Sequence, residues 1–135
     1  MSTALIPDEG MVVLQDKMNS VGLIAGYTLR LFQNNFTPSK SSVFSSFTVA
    51  TFSGYAGVAI TWGAGSISAN ISTALAPAAV FTRSIGATSN TIYGWYLTDS
   101  GGTKVIACNL LAAPKVMGVS GDGISITLSE LLGDL

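Results

Sequence analysis

The chain has 135 residues, with six Lys or Arg against seven Asp or Glu, no His and one Cys. Its formal net charge of -1 and its charged fraction of 10%, against about 25% in ordinary domains, leave no basic cluster for phosphates or for an anionic bilayer surface. Nucleic acid and membrane are therefore not expected as partners. The length suits one domain that buries a core unaided, and a lone cysteine excludes an intrachain disulfide.

Residues 1–8 read as an extended arm ending at Pro7, with Asp8 placed to cap a helix starting at Glu9. The N-terminus shows no basic segment followed by an apolar one, so no signal peptide is expected and synthesis in the cytoplasm is. Every apolar run is broken by Gly, Ser, Thr, Asn or Pro well before the ~20 residues of a spanning helix. From Glu9 to Asn19, the recurrence of Met11, Leu14 and Met18 predicts a short amphipathic helix over about residues 9–19. A helix so short must pack on something, its own core or another subunit. Residues 9–135 are expected to form a single β-rich domain.

After a small-residue connector, Val21 to Gly26, the first strand is expected at Tyr27 to Asn34, with Tyr27, Leu29 and Leu31 on one face. Asn and Pro make the following turn. Phe44 to Phe52 fits a connection or a second strand, Tyr55 to Trp62 a weak strand, and Ser66 to Ser72 and Ala78 to Arg83 further short strands. Ser89 to Leu111 reads as a hairpin closed by Asp99-Ser100-Gly101-Gly102. Strict alternation puts Thr91, Tyr93, Trp95 and Leu97 on one face and Ile92, Gly94 and Tyr96 on the other. Both faces are apolar, so this strand is expected to be central. A half-buried strand comes next at Ile124, Ile126 and Leu128, and a leucine-rich tail, Leu131, Leu132 and Leu135, ends the chain. The fold class is mainly β: an antiparallel β-sandwich or a jelly-roll or barrel-like body with a short N-terminal helix and an extended N-terminal arm. Its expected core comprises Leu29, Leu31, Tyr93, Trp95, Ile124, Ile126 and Leu128.

From Ser41 to Thr82 there is no charged residue, yet a domain this small exposes part of so long a stretch. A neutral Ser, Thr, Ala and Gly surface suits dense subunit contact, where buried ions would cost several kcal/mol each (roughly). It also suits a plain neutral exterior or a sugar-binding face.

The inventory for chemistry is short. Without His, and with Cys108 alone in an apolar run, zinc and Ser-His-Asp chemistry lack their parts. Asp99 and Asp122 sit in Gly-bearing turns, where Asp bonds backbone N–H groups. Gly54, Gly57, Gly63 and Gly65 lack the Gly-Lys-Ser/Thr ending of a phosphate loop. Trp62, Tyr93, Trp95 and Tyr96 are the residues suited to stacking on a sugar, with core filling the stronger reading of Trp95. No enzyme activity, no cofactor and no metal are expected.

Three stretches, Leu29-Arg-Leu-Phe-Gln-Asn-Asn-Phe-Thr-Pro38, Phe47-Thr-Val-Ala-Thr-Phe-Ser-Gly-Tyr-Ala56 and Thr88-Ser-Asn-Thr-Ile-Tyr-Gly-Trp-Tyr-Leu-Thr-Asp99, carry a resemblance. Together with Val12-Val-Leu-Gln-Asp16 and Gly121-Asp-Gly-Ile-Ser-Ile-Thr127 they resemble small virion-associated proteins of tailed bacteriophages, over most of the chain. Val49 stands where such proteins often carry an acidic residue. The resemblance implies a structural component of a phage particle with no catalytic residues to carry over. Within that setting a capsid decoration, or cement, protein on the capsid surface is expected, with the major capsid protein and copies of itself, as a dimer or trimer, for partners. Leu5, Ile6 and Pro7 of the arm and Leu131, Leu132 and Leu135 of the tail are its expected contacts. The alternative is a tail-fibre, baseplate or receptor-binding module with a sugar ligand.

Overall fold

The computed structural model describes residues 5–10, 27–60, 66–68, 71–75, 78–99 and 102–132. The chain is mainly β, and every strand pairing among the described residues is antiparallel. Nine strands are described: β1 (Tyr27–Phe32), β2 (Val58–Ile60), β3 (Ser66–Ser68), β4 (Ile71–Leu75), β5 (Ala79–Thr82), β6 (Asn90–Thr98), β7 (Val105–Met117), β8 (Gly123–Ile126) and β9 (Ser129–Leu132). They form a four-stranded sheet ordered β2-β1-β6-β7, a three-stranded sheet ordered β3-β4-β9, and a β5-β8 ribbon. None of these closes into a barrel.

β6 is the centre of the large sheet, flanked by β1 and β7. On one face Leu29 and Leu31 of β1 and Ile92, Trp95 and Leu97 of β6 pack against the ribbon, which turns Ala79, Phe81, Ile124 and Ile126 inward while Val80 and Thr82 stay outside. Ala50, Phe52 and Leu128 close this cluster, giving a sandwich-like two-layer core. On the opposite face Phe32, Tyr96, Val105 and Cys108 form a second cluster under Phe47, with Leu5, Phe36, Phe44 and Tyr93 at its margin. Here Phe47 stacks on Tyr96 at 4.6 Å between ring centres and meets Phe32 edge-on at 5.2 Å. Such pairs contribute about 1 kcal/mol each beyond their buried area.

The face assignment expected for β6 fails at one point, and the reason is a bulge. Ile92 pairs with Lys115 but Gly94 pairs with Leu110, so Tyr93 alone stands opposite Leu111-Ala112-Ala113-Pro114. Two-residue alternation resets there. Ile92 joins Trp95 and Leu97 on one face, while Tyr93 moves to the margin of the Tyr96 cluster. Tyr93 is thus half-buried on the face opposite Trp95, a correction to the single core set expected for the two residues. The bulge also accommodates Pro114, which has no N–H to give to a regular ladder.

Phe44 to Phe52 forms no strand. A 3-10 turn at Phe44–Ser46 is followed by extended chain with one bridge, Phe32 to Val49. Two backbone bonds flank that bridge, from Gln33 N–H to the Thr48 carbonyl and from Ala50 N–H to the Leu31 carbonyl (2.9 Å each), and side-chain amides add to them: Gln33 Nε2 donates to the Val49 carbonyl (2.9 Å), Asn34 Nδ2 to the Ser46 carbonyl (2.9 Å), and Thr48 N–H to Asn34 Oδ1 (2.9 Å). Ser66 to Ser72, expected as one strand, is divided between β3 and β4, which pair with each other.

Leu5 to Gly10 are docked on the body. Leu5 and Cys108 exchange backbone hydrogen bonds of 2.9 and 2.8 Å, and Pro7 is fully buried. Asp8–Gly10 form a helical turn, the start of the helix expected over about 9–19, whose remainder lies outside the described residues. Glu9 fixes this turn, since its Oε1 accepts the N–H groups of Val105 (2.6 Å) and Phe44 (3.1 Å). At Gly10 a Cβ would fall 2.6 Å from the carbonyl oxygens of Val105 and Ile106, so only glycine permits this approach.

Candidate functional site

The residues expected to grip a partner are placed differently from one another. Leu5 and Pro7 pack on their own chain, which corrects the expectation of an arm free to reach a neighbour, and Ile6 between them is half-buried. Leu131 and Leu132 contribute backbone to β9, paired with Thr73 and Ser72 of β4, rather than forming a loose clip. Leu135 lies outside the described residues. Leu29, Leu31, Trp95, Ile124, Ile126 and Leu128 are buried in the sandwich core.

The groups with chemical potential are held in structural roles. Asp99 Oδ1 accepts the N–H groups of Thr103 (2.9 Å) and Lys104 (3.1 Å), closing the β6–β7 connection. Asp122 Oδ2 accepts those of Gly118 (2.9 Å) and Val119 (3.0 Å). These bonds, Val119 first and then Gly118, hold the Asp122 carboxyl below its usual range, with Lys115 and Arg83 adding to the effect. Burial pushes the Cys108 thiol up to about 12, out of reach of ordinary thiolate chemistry. Tyr96 is likewise raised to about 12, first by burial and then by neighbouring Tyr55, against the pull of Arg30. Trp95 and Tyr96 are too deeply buried to stack on a sugar, and Trp62 lies outside the described residues. Among the described residues no three of His, Cys, Asp and Glu gather as a metal site, and no helix is long and apolar enough to cross a membrane.

What the structure does bring together is a sparsely charged face around β5, with Asp122 at its end and Arg30 beside Gly57, organised by an inward-turned arginine. Arg83 is the sole charged residue between Lys40 and Asp99 in the sequence, and it is only 6% exposed. Among the described residues no carboxylate is hydrogen-bonded to its guanidinium, whose charge nonetheless reaches Asp122. It donates through Nε to the Thr88 carbonyl (3.2 Å), through Nη2 to Gly86 (2.8 Å) and through Nη1 to Ser84 (3.5 Å). The planar fork thus collects the carbonyls of the loop immediately after it. From outside, Ser53 braces the same loop: its carbonyl accepts the Ser84 N–H (2.9 Å), its N–H donates to the Thr88 carbonyl (3.1 Å), and its Oγ accepts the Thr88 N–H (3.1 Å). Gly54, at φ 83°, turns the chain against Ser84 where a side chain would collide.

The loop so fixed projects Ile85, which is 90% exposed, and Val80 on the outer face of β5 is 61% exposed. Beside Val80 lies a concavity of about 170 Å³ lined by Phe52, Tyr55, Val58, Val80 and Phe81, with Gly54, Ala56 and Gly57 at its edge. The Tyr55 ring stacks with Phe81 at 6.0 Å, and its hydroxyl accepts the Leu31 N–H (3.1 Å), so the ring, not the hydroxyl, is what the hollow offers. Sequence reading marked the neutrality of this region but missed the loop, its brace and its apolar tip. The available signal was a lone Arg directly before Ser-Ile-Gly-Ala-Thr-Ser, a loop rich in carbonyls and poor in side chains to satisfy them.

Comparison of the chain with protein families, with characterised proteins and with solved structures finds no match.

Proposed function

We propose that the chain is a structural protein of a tailed-bacteriophage particle, a decoration or cement protein that binds outside the shell and bridges neighbouring major capsid subunits. The observation that supports this reading best is the sparsely charged face around β5, on which exposed Ile85 and Val80 stand on fixed backbone among Ser, Thr, Ala and Gly. Such a face associates without stripping water from an ion, and modest contacts repeated over many copies on one shell add up through avidity. The resemblance of the sequence to small phage virion proteins agrees with it. No catalytic role belongs to the proposal, since Asp99 and Asp122 are engaged in closing turns. Docked Leu5 and Pro7 shift the contact surface from the arm to this face. Self-association as a closed dimer or trimer is part of the reading.

The test is the copy number of the chain in purified particles, measured by quantitative mass spectrometry against the major capsid protein. Copies of the same order as the capsid protein are expected. A handful per particle would replace the proposal with a second reading, a tail-fibre, baseplate or receptor-binding module. The concavity beside Tyr55 favours that alternative, because an aromatic-floored hollow open to solvent suits the apolar face of a sugar.

A further inference from the structure

The hollow beside β5 has two kinds of lining. One is aromatic, with the Tyr55 and Phe81 rings nearly parallel, 11° apart. The other is polar: the backbone of Gly54, Ala56 and Gly57, and the side chain of Thr82. Among the described residues the N–H and carbonyl groups of those three make no hydrogen bond, and neither does the Thr82 hydroxyl. Both linings are fixed before a ligand arrives. The Tyr55 hydroxyl accepts the Leu31 N–H (3.1 Å), the Tyr55 N–H donates to the Phe52 carbonyl (2.9 Å), and Gly54 turns at φ 83° against Ser84. Little ordering is then left for binding. A partner apolar throughout would cover the backbone groups without answering them. A sugar ring answers both linings, since its C–H face packs on an aromatic ring and each hydroxyl at its edge can donate and accept at once. Size agrees. A closed cavity of roughly 150 Å³ accepts benzene, a ring of six heavy atoms. The hollow, about 170 Å³ and open to solvent, seats a six-membered pyranose ring and leaves its outward substituents in water.

We propose that this hollow seats one terminal pyranose residue of a glycan, its C–H face on the Tyr55 ring and its hydroxyls on the Gly54–Gly57 backbone and the Thr82 hydroxyl. This rests on the second reading above, a receptor-binding module, and names the groups that would read the sugar. Copy number decides that reading and sugar binding decides the seat, so each can fail without the other.

The test is NMR on the full chain with the methyl glycosides of glucose, galactose, mannose and N-acetylglucosamine, each at about 10 mM. At least one is expected to bind, with a dissociation constant of about 1 mM, and to shift the backbone amides of Gly54, Ala56 and Gly57. T82V keeps the shape of an exposed side chain and removes its hydroxyl, so it should weaken that binding about tenfold. A56W blocks the hollow from its exposed rim and should abolish binding. Thermal unfolding checks that both variants fold, and the wild-type amide shifts carry the test if either does not. No binding by any of the four glycosides would overturn the seat, as would amide shifts confined to another part of the chain. No binding together with a handful of copies per particle would overturn the seat and leave the second reading standing. Binding at the hollow by a chain as abundant as the capsid protein would uphold the seat and overturn that reading.

Discussion

Phe32 and Gly94 are direct partners across β1 and β6, and the Phe32 ring lies where a side chain at Gly94 would have to stand. A Cβ at Gly94 would fall 2.6 Å from the ring edge and would also strike the Asn109 carbonyl, which belongs to the paired backbone of β7. The glycine is thus what lets an aromatic ring cross the middle of the sheet and join Phe47 and Tyr96 beyond it.

G94A is accordingly expected to destabilise the fold by about 3 kcal/mol, since neither the ring nor the ladder can yield freely. F32A should cost about 3 to 5 kcal/mol through lost burial and the cavity left behind. The two losses should fall short of additive, because the first substitution already displaces the ring that the second removes. Urea unfolding of the single and double variants measures this.

Replacing Arg83 tests whether one guanidinium organises the Ser84–Ser89 loop. R83M leaves the Ser84, Gly86 and Thr88 carbonyls without that donor and is expected to cost about 2 kcal/mol. R83K should recover only part, because an ammonium cannot reach three carbonyls in the plane of the fork. Limited proteolysis should cut both variants within 84–89 faster than the wild type.

Asp122 predicts a dependence on acid. Its folded-state carboxyl sits below the ordinary value of 3.8, so the contribution of its hydrogen bonds is complete above that value and is lost as pH falls through the lower, folded one. The stability difference between wild type and D122A should be constant from neutral pH down to about 4.5 and shrink below it. Thermal unfolding across that range reads the difference directly. A gap that widened on acidification would reverse the assigned direction.

Cys108 should resist alkylation. With its thiol pushed to about 12 and its side chain buried under Leu5, iodoacetamide at pH 8 should label folded chain at the rate of global opening, and unfolded chain at once. E9A, which frees the Val105 and Phe44 N–H groups that pin the N-terminal turn, should accelerate labelling about tenfold or more. Intact mass spectrometry tracks both.

The parts of this fold legible in the sequence are those where pattern and packing agree. β6 reads as central because large apolar groups occupy both of its faces, and the structure puts it between β1 and β7 with a cluster on each side. β8 reads cleanly because Ile124 and Ile126 alternate with Gly123 and Ser125 over a single buried face. The side assigned to Tyr93 was illegible because a bulge resets the alternation without any mark in β6 itself; Pro114, on the other strand, was its only trace. The extended chain at Phe47–Phe52 has strand-like composition and pairs briefly with β1 through the Thr48 carbonyl and the Ala50 N–H, but the side-chain amides of Gln33 and Asn34, remote in sequence, supply the rest of its bonds in place of a longer ladder. The β5 face was visible as missing charge, whereas its architecture depends on one arginine pointing inward, a direction that no periodicity in so short a loop encodes.

The bulge in β7 has a consequence for engineering. Its two halves keep separate registers with β6, Asn109 against Trp95 on one side and Lys115 against Ile92 on the other, while exposed Ala112 and Ala113 lie between them outside the ladder. Extra residues inserted after Ala112 would lengthen a protrusion the ladder already tolerates and shift neither register. That position is therefore a natural graft site for a foreign peptide, carried outward from a body whose pairings stay as they are.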